Sequence, residues 1–252
     1  MYYKLLGCKI LEREIASVIY SCKNVIDVTM IRQRLHDTPE RLREILQQEI
    51  TLIDENRHHY SNDTREHDFD AILLGYGLCS NVVVGLTSSR YPLVIPKAHD
   101  CVTLLMGDKE KYLEYYKKNP GTFYYSPGFT ELYTLDEEDR LRRRYQMYLT
   151  RYHGNEKKAQ KAVKIEAEFT KNYQSAAYIS WEDFSFPEYE EQACLLAKEK
   201  NWTYEKIPGN NSLLKQLVDG EWSEDRFLIV RPGYHAEPSY DEEILMEVAN
   251  VQ

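Results

Sequence analysis

The residues with the most reactive side chains lie next to the ends of predicted strands. The segment Val94–Cys101 reads VIPKAHDC, so an apolar, β-branched run leads directly into a histidine, an acid and a thiol. Cys8 ends an earlier apolar run, YKLLGC, and Cys79 follows a third run, in the stretch GYGLCSN. In open parallel α/β sheets, ligands bind beyond the carboxyl ends of the strands. We therefore expect Cys8, Cys79, His99 and Cys101 to belong to one site.

Three thiols and an imidazole form a complete ligand set for a tetrahedral metal. Zinc accepts Cys3His coordination, and soft thiolates also hold iron–sulfur clusters. The His-x-Cys spacing of His99 and Cys101, with a distant cysteine, is typical of zinc sites that bind and activate a thiol for methylation. In such sites the metal lowers the pKa of the thiol, and the thiolate attacks the methyl donor. The predicted metal ligands are Cys8, Cys79, His99 and Cys101, around zinc or an iron–sulfur cluster.

Two other interpretations of these residues stay open. One is a catalytic or redox cysteine that acts without metal, with Asp100 and Cys101 as the catalytic candidates. The other is that the thiols are buried as small apolar groups, while Asp100 caps a helix that begins at Cys101. In the metal interpretation, Asp100 would orient a ring nitrogen of a histidine ligand.

The stretch GYGLCSN also suggests a place for a cofactor. Glycine lets backbone amides approach a phosphate or cofactor closely, although the stretch is not a dinucleotide fingerprint and the chain has no Walker motif. The candidate cofactor-binding residues are Gly75, Tyr76, Gly77, Asn81 and Lys97. His36, which opens a predicted helix, and His235, which follows the strand predicted to be the last, are further candidates for functional residues.

Composition excludes several classes of protein. The 252 residues carry a formal net charge of -9, whereas a nucleic-acid-binding protein would present a basic face. The first residues, MYYKLLGCKI, lack the basic region and long apolar run of a signal peptide. No window approaches the roughly 18 consecutive apolar residues of a membrane helix. An odd count of five cysteines is not a disulfide framework. We therefore predict a cytoplasmic protein that binds neither membranes nor nucleic acid.

Strand and helix patterns alternate along the chain, which predicts a single α/β domain over residues 1–252. Phe69–Gly75 is apolar on both faces, as in a parallel strand that helices cover on both sides. We expect an open, mostly parallel, Rossmann-like sheet with helices on both faces, and we predict Arg226–Val230 to be its last strand. Residues 130–175 read as two long charged helices, broken around 153–155. These helices form an insertion or cap and a possible surface for oligomerisation.

Several long segments resemble one protein family. They are LLGYGLCSNVVVGL, LVIPKAHDCVTLLMGDKEKY, PGTFYYSPGF, the early GCKILERE and the later NWTYEKIPGNNSLLKQLVDGEW. Together they are similar to the prokaryotic domain-of-unknown-function family sixteen thirty-eight. Members of that family are often associated with corrinoid-dependent methyl-transfer systems, so the resemblance implies that a corrinoid, or a corrinoid protein, is a partner. The family usually has arginine where Lys97 stands; both are cationic, but only arginine offers a bidentate fork.

The sequence leads to one main hypothesis and two alternatives. The main hypothesis is a metal-binding α/β protein that acts in, or assists, corrinoid or one-carbon methyl transfer, as a metal-dependent methyltransferase or an accessory protein. One alternative is a non-catalytic module that binds a small molecule or corrinoid cofactor. The other is a structural subunit of a methyltransferase complex, which would dock through the helices at 130–175.

Overall fold

The computed structural model divides the chain into two compact units. It describes residues 1–32, 38–57, 68–132, 137–170, 172–239, 241 and 243–250. The first unit comprises Met1–Tyr115, Trp181–Phe184 and Pro208–Gln252, and the second comprises Tyr116–Ser180 and Ser185–Ile207. The helical insertion predicted at 130–175 falls within the second unit, while the single domain predicted over 1–252 stays a prediction.

Strands and helices alternate through most of the described chain. The strands are β1 (Tyr2–Cys8), β2 (Val25–Ile31), β3 (Ala71–Gly75), β4 (Leu93–Pro96), β5 (Thr122–Tyr125), β6 (Ser175–Ser180), β7 (Thr203–Pro208), β8 (Phe227–Val230), β9 (Tyr234–Pro238) and β10 (Leu245–Ala249). The helices are α1 (Glu12–Tyr20), α2 (Pro39–Asp54), α3 (Cys101–Met106), α4 (Lys109–Lys118), α5 (Pro127–Leu132), α6 (Glu137–Arg151), α7 (Glu156–Thr170), α8 (Pro187–Glu199) and α9 (Ser212–Asp219). Within the described ranges, none of these helices combines the length and the apolar character needed to cross a membrane.

The main sheet of the first unit has the strand order β2-β1-β3-β4-β8. The pairs β1/β2, β1/β3 and β3/β4 are parallel, and β8 pairs with β4 in the antiparallel direction. The prediction of an α/β fold with a mostly parallel sheet is therefore confirmed. The prediction that Arg226–Val230 is the last strand is wrong, because β9 and β10 follow it and form a separate antiparallel pair.

Helices cover both faces of this sheet. Gly7 and Gly75 are register partners on β1 and β3, and a Cβ atom on either would lie 3.0–3.1 Å from Cδ1 of Ile15 on α1. On the opposite face, Leu6 packs in the same apolar cluster as Leu46 of α2. Burying each such leucine contributes about 1.5–3 kcal/mol. This packing fixes the central strands, and with them the loops at their carboxyl ends.

The second unit has its own small sheet, in the order β5-β6-β7, with β5 and β6 parallel. Tyr125 and Tyr178 are buried in its core. The rings of Phe123 and Trp202 pack nearby, with centroids 5.7 Å apart. The helices α6 and α7 pack against each other within this unit.

A buried ion pair in the main sheet gives a prediction on stability. Lys4 on β1 is 1 % exposed, and its ammonium group donates to Asp27 on β2 over 2.7 Å. Asp27→Ala would leave the buried ammonium without its partner, which costs 3–5 kcal/mol in typical cases. Because the Asp27 side chain is 19 % exposed, we expect a loss of about 3 kcal/mol in the free energy of unfolding, measured by urea denaturation.

The control is the exposed ion pair between Arg41 and Glu44 on α2. Glu44→Ala should cost less than about 1 kcal/mol, because exposed pairs contribute little. Lys4→Met removes the charge and keeps an apolar stem, so it should cost less than Asp27→Ala. Equal, small losses in all three variants would contradict this account of the Lys4–Asp27 pair.

Candidate functional site

The loops that follow β3 and β4 are joined through their backbones. The amide of Leu78 donates to the carbonyl of Ala98 over 2.7 Å, and the amide of Cys79 donates to the carbonyl of His99 over 2.9 Å. A Cβ atom on Gly77 would lie 2.6 Å from the Ala98 carbonyl oxygen, so a side chain there would push the loops apart. The glycine at position 77 therefore serves the contact between the two loops, and the amides of Leu78 and Cys79 are already used in it.

The loop after β3 contains a left-handed turn without glycine. Cys79, Ser80 and Asn81 have φ values of 43°, 62° and 66°. This conformation costs a non-glycine residue roughly 1–2 kcal/mol, and it persists only where the surroundings hold it. Here the carbonyl of Asn81 accepts a 2.8 Å hydrogen bond from the guanidinium group of Arg43, and the amide of Val82 donates to Leu78. Strained backbone of this kind is frequent at functional sites.

Three of the four predicted metal ligands lie near one another. Cys8, Cys79 and Cys101 are half-buried free thiols. Cys8 is near enough to raise the pKa of Cys79, and both are near enough to raise the pKa of Cys101. Burial raises the pKa of all three. For Cys79, burial and then the carboxylate of Asp100 raise the pKa to about 12, and Cys8 adds a smaller effect. For Cys101, burial, Asp100 and the two other thiols raise the pKa well above its usual value.

The fourth predicted ligand, His99, differs from the thiols because its side chain is exposed. Its backbone carbonyl, rather than its ring, bonds to the Cys79 amide. Among the described residues, no group of three or more His, Cys, Asp or Glu side chains is arranged so that it could hold a metal ion.

Asp100 caps the helix that begins at Cys101. Its Oδ1 accepts hydrogen bonds from the amide of Thr103 (3.1 Å) and from its hydroxyl group (3.3 Å), and its Oδ2 accepts one from the hydroxyl of Tyr112 (3.1 Å). The structure therefore shows the capping role. A threonine three residues after an N-cap acid is visible in the sequence. The sequence carries no comparable signal for Tyr112, because its hydrogen bond to Asp100 links two different helices, α4 and the start of α3.

Tyr76 places a buried hydroxyl group beside the thiols. The residue is 3 % exposed, and its hydroxyl has no hydrogen-bond partner among the residues that the structure describes. Burial, followed by the nearby Cys8 and Cys79, raises its pKa well above the usual value. An unsatisfied buried polar group costs about 1–3 kcal/mol. This hydroxyl therefore lies near Cys8 and Cys79 at a cost in stability.

Lys97 and His235 have partners of their own. The ammonium group of Lys97 pairs with Glu243, and Lys97 lines a cleft of about 250 Å³ together with Asp225 and Arg226. His235 on β9 bonds through one ring nitrogen to Asn250 and through the other to Glu237, and His36 lies outside the described residues. A cofactor at Gly75, Tyr76, Gly77, Asn81 and Lys97 stays a prediction.

The fold and the thiol cluster thus define an α/β protein with three free thiols near the carboxyl edge of its sheet. The family model described as Protein of unknown function (DUF1638) matches residues 30–218, well over half of the chain, and the chain belongs to this family. The matched range includes Cys79 and Cys101, while Cys8 precedes it. No curated protein and no solved structure matches the chain.

Asp100→Asn should make two of the thiols more reactive. The substitution keeps a capping side chain of the same size and removes the negative charge that raises the pKa of Cys79 and Cys101. Their pKa values should therefore fall, and the thiolate fraction at a fixed pH below the pKa should rise. We expect iodoacetamide to alkylate both thiols of metal-free protein several-fold faster at about pH 8.5, the usual pKa of the thiol, as measured by peptide mass spectrometry.

Cys22 provides the internal control, because its pKa depends on burial and on Asp219 rather than on Asp100. Its alkylation rate should be the same in both proteins. Unchanged rates at Cys79 and Cys101 would show that Asp100 does not act on them.

Proposed function

We propose that this protein binds a thiophilic metal centre, zinc or an iron–sulfur cluster, through Cys8, Cys79 and Cys101. In this proposal it acts in, or assists, methyl or one-carbon transfer linked to a corrinoid. The observation that supports the metal part is the proximity of three thiols from chain segments far apart in sequence: Cys8 at the end of β1 and Cys79 after β3 both raise the pKa of Cys101, which follows β4.

The chemistry of these side chains fits a soft cation. Three thiolates leave one position of a tetrahedral zinc open, as a metal that binds substrate requires. The charged group that most strongly affects Cys79 and Cys101 is the anionic Asp100, so a bound cation would offset several negative charges at once. Metal binding deprotonates coordinating thiols, which reverses the effect of burial on their pKa.

The unsatisfied hydroxyl of Tyr76 supports the same conclusion. It lies beside Cys8 and Cys79, where it would donate a hydrogen bond to a thiolate or to a ligand of the metal. Such bonds from outside the ligand set orient the ligands and tune the metal. If the thiols only packed as apolar groups, this hydroxyl would keep no hydrogen-bond partner among the described residues.

In this proposal, each residue at the thiol cluster has a defined role. Cys8, Cys79 and Cys101 bind the centre, and Asp100 holds Cys101 at the start of α3 through its bonds to Thr103. His99, on the exposed side, is the candidate fourth ligand, and an incoming thiol would take the same position. When bound, the centre supplies Lewis acidity that lowers the pKa of a substrate thiol.

The methyl-transfer part of the proposal has different support. It rests on the His-x-Cys spacing of His99 and Cys101 and on the association with corrinoid systems that the resemblance implies. A thiolate that attacks a methylated corrinoid takes the methyl group and leaves the electron pair of the broken bond on the cobalt. A substrate thiol and a corrinoid protein are therefore the proposed partners.

Metal content tests the proposal. Protein purified without oxygen should contain stoichiometric zinc, or iron with sulfide, by elemental analysis. Cys79→Ala and Cys101→Ala should lose most of it, because each removes one of three ligands. The matched controls are Cys22→Ala and Cys194→Ala, which remove free thiols outside the cluster and should keep the wild-type content.

Two outcomes would contradict the metal part. One is full metal content in Cys101→Ala, and the other is a metal-free wild-type protein. In the second case, tight binding of cobalamin would favour the non-catalytic corrinoid-binding module.

Tyr76→Phe separates a role at the metal from a role in folding. In metal-free protein the change removes an unsatisfied buried hydroxyl, so the free energy of unfolding should stay the same or rise by about 1 kcal/mol. In loaded protein it removes a bond to the centre, and metal affinity should fall about tenfold. Competition with a chromogenic chelator measures the affinity. Unchanged affinity, or a large loss of stability without metal, would contradict this role.

A further inference from the structure

The helices α6 and α7 form a hairpin. Hydrogen bonds hold its turn, and an ion pair joins the two helices. The amide of Gly154 donates a hydrogen bond to the carbonyl of Leu149 over 2.8 Å. Asn155 caps α7, because its Oδ1 accepts a hydrogen bond from the amide of Lys158 over 3.1 Å. Half-buried Arg144 and Glu166 pair across the two helices. The hairpin therefore presents its side chains in a defined arrangement.

A groove of about 530 Å³ runs between the two helices. Tyr148 and Tyr152 line it and stack, with ring centroids 6.1 Å apart and an interplanar angle of 13°. Ile165 is 48 % exposed in the same groove. The cations that line it are Arg151, Lys158 and Lys161, all exposed. The groove thus combines an aromatic and aliphatic lining with a positive charge.

This positive charge stands out in an acidic protein. Residues 137–170 contain nine Lys and Arg against six Asp and Glu, a formal charge of +3. Because the whole chain carries -9, the other residues carry -12. Among the residues that the structure describes, the three groove cations form no ion pair with a carboxylate. The groove therefore suits an acidic surface that also offers an apolar side chain.

The helix α8 of the same unit carries such a surface. Glu188, Glu191, Leu195 and Glu199 follow spacings of three and four residues, which place them along one side of a helix. All four are exposed, and Leu195 is 52 % exposed. Within the described part of the chain, these three carboxylates form no ion pair, whereas the neighbouring Glu190 pairs with Lys206. We call these four residues the α8 stripe.

We infer that the hairpin groove binds the α8 stripe of a second copy of this chain. Three cations meet three carboxylates, and Ile165 meets Leu195. Each copy carries both surfaces, so a two-fold arrangement uses each of them twice. Tyrosine and arginine are enriched in protein interfaces, and charge complementarity sets register and excludes other partners. This inference does not depend on the metal centre.

Sedimentation velocity tests the inference directly. The wild-type protein should be a dimer at about 0.02 M salt and shift towards monomer near 1 M, where the Debye length falls to about 3 Å. Lys158→Glu with Lys161→Glu reverses the groove, and Glu188→Lys with Glu191→Lys reverses the stripe. Either double variant should weaken the dimer at least about tenfold, as expected for the loss of about 1.4 kcal/mol or more.

Mixing the two double variants gives the sharpest result. In each double variant the groove and the α8 stripe carry the same sign of charge, so two copies of one variant repel each other. In a mixed pair, each groove faces a stripe of opposite charge. An equimolar mixture should therefore restore the dimer. The control, Lys157→Glu with Lys164→Glu, makes the same change in net charge at exposed positions outside the groove lining and should leave the dimer intact. A wild-type monomer at low salt would overturn the inference and leave the groove to a different acidic partner. A mixture that stays monomeric would also overturn it.

Discussion

The parallel pairing of β1, β3 and β4 is the constraint on which the candidate site depends. Parallel strands place their carboxyl ends at one edge of the sheet, so the residues after β1, β3 and β4 become neighbours although up to 93 positions separate them in the chain. The backbone contact of Gly77 with Ala98 then fixes the loops after β3 and β4 to each other. Cys79 and Cys101 are carried by these loops, and Cys8 ends the strand beside them.

The same three thiols would serve equally well as small apolar groups if nothing else were gathered around them. Burial raises the pKa of all three, and the charge of Asp100 raises the pKa of Cys79 and Cys101 further. Both effects favour the neutral thiol, which packs as a small apolar group. Two features do not fit simple packing: the left-handed turn that begins at Cys79 and the unsatisfied hydroxyl of Tyr76. Both cost free energy. A bound cation would offset that cost through its bonds to the thiolates, and a thiolate would accept a hydrogen bond from Tyr76. The first unit would thus hold the chemistry, while the charged surfaces of the second would bring two copies together.

Much of this arrangement could be predicted from local patterns. The strand before Cys8, the helix from Pro39 to Asp54 and the helix starting at Cys101 follow from apolar periodicity, proline at a helix start and an acid at a cap. The strand pairings could not be predicted, because they depend on contacts between distant residues. The four apolar residues Phe227–Val230 do not indicate whether their strand runs parallel or antiparallel to its neighbour. The β9 segment, YHAEP, shows no clean alternation of polar and apolar residues. That the hydroxyl of Tyr76 has no hydrogen-bond partner among the described residues likewise emerges only in three dimensions.

X-ray absorption at the metal edge would test the central claim most directly, that Cys8, Cys79 and Cys101 share one centre. For zinc, the account predicts three sulfur neighbours at about 2.3 Å, with one nitrogen or oxygen ligand at about 2.0–2.2 Å. Cys101→Ala protein reloaded with zinc should show two sulfur neighbours. A first shell of oxygen and nitrogen alone, or a sulfur count that does not change in Cys101→Ala, would contradict the claim.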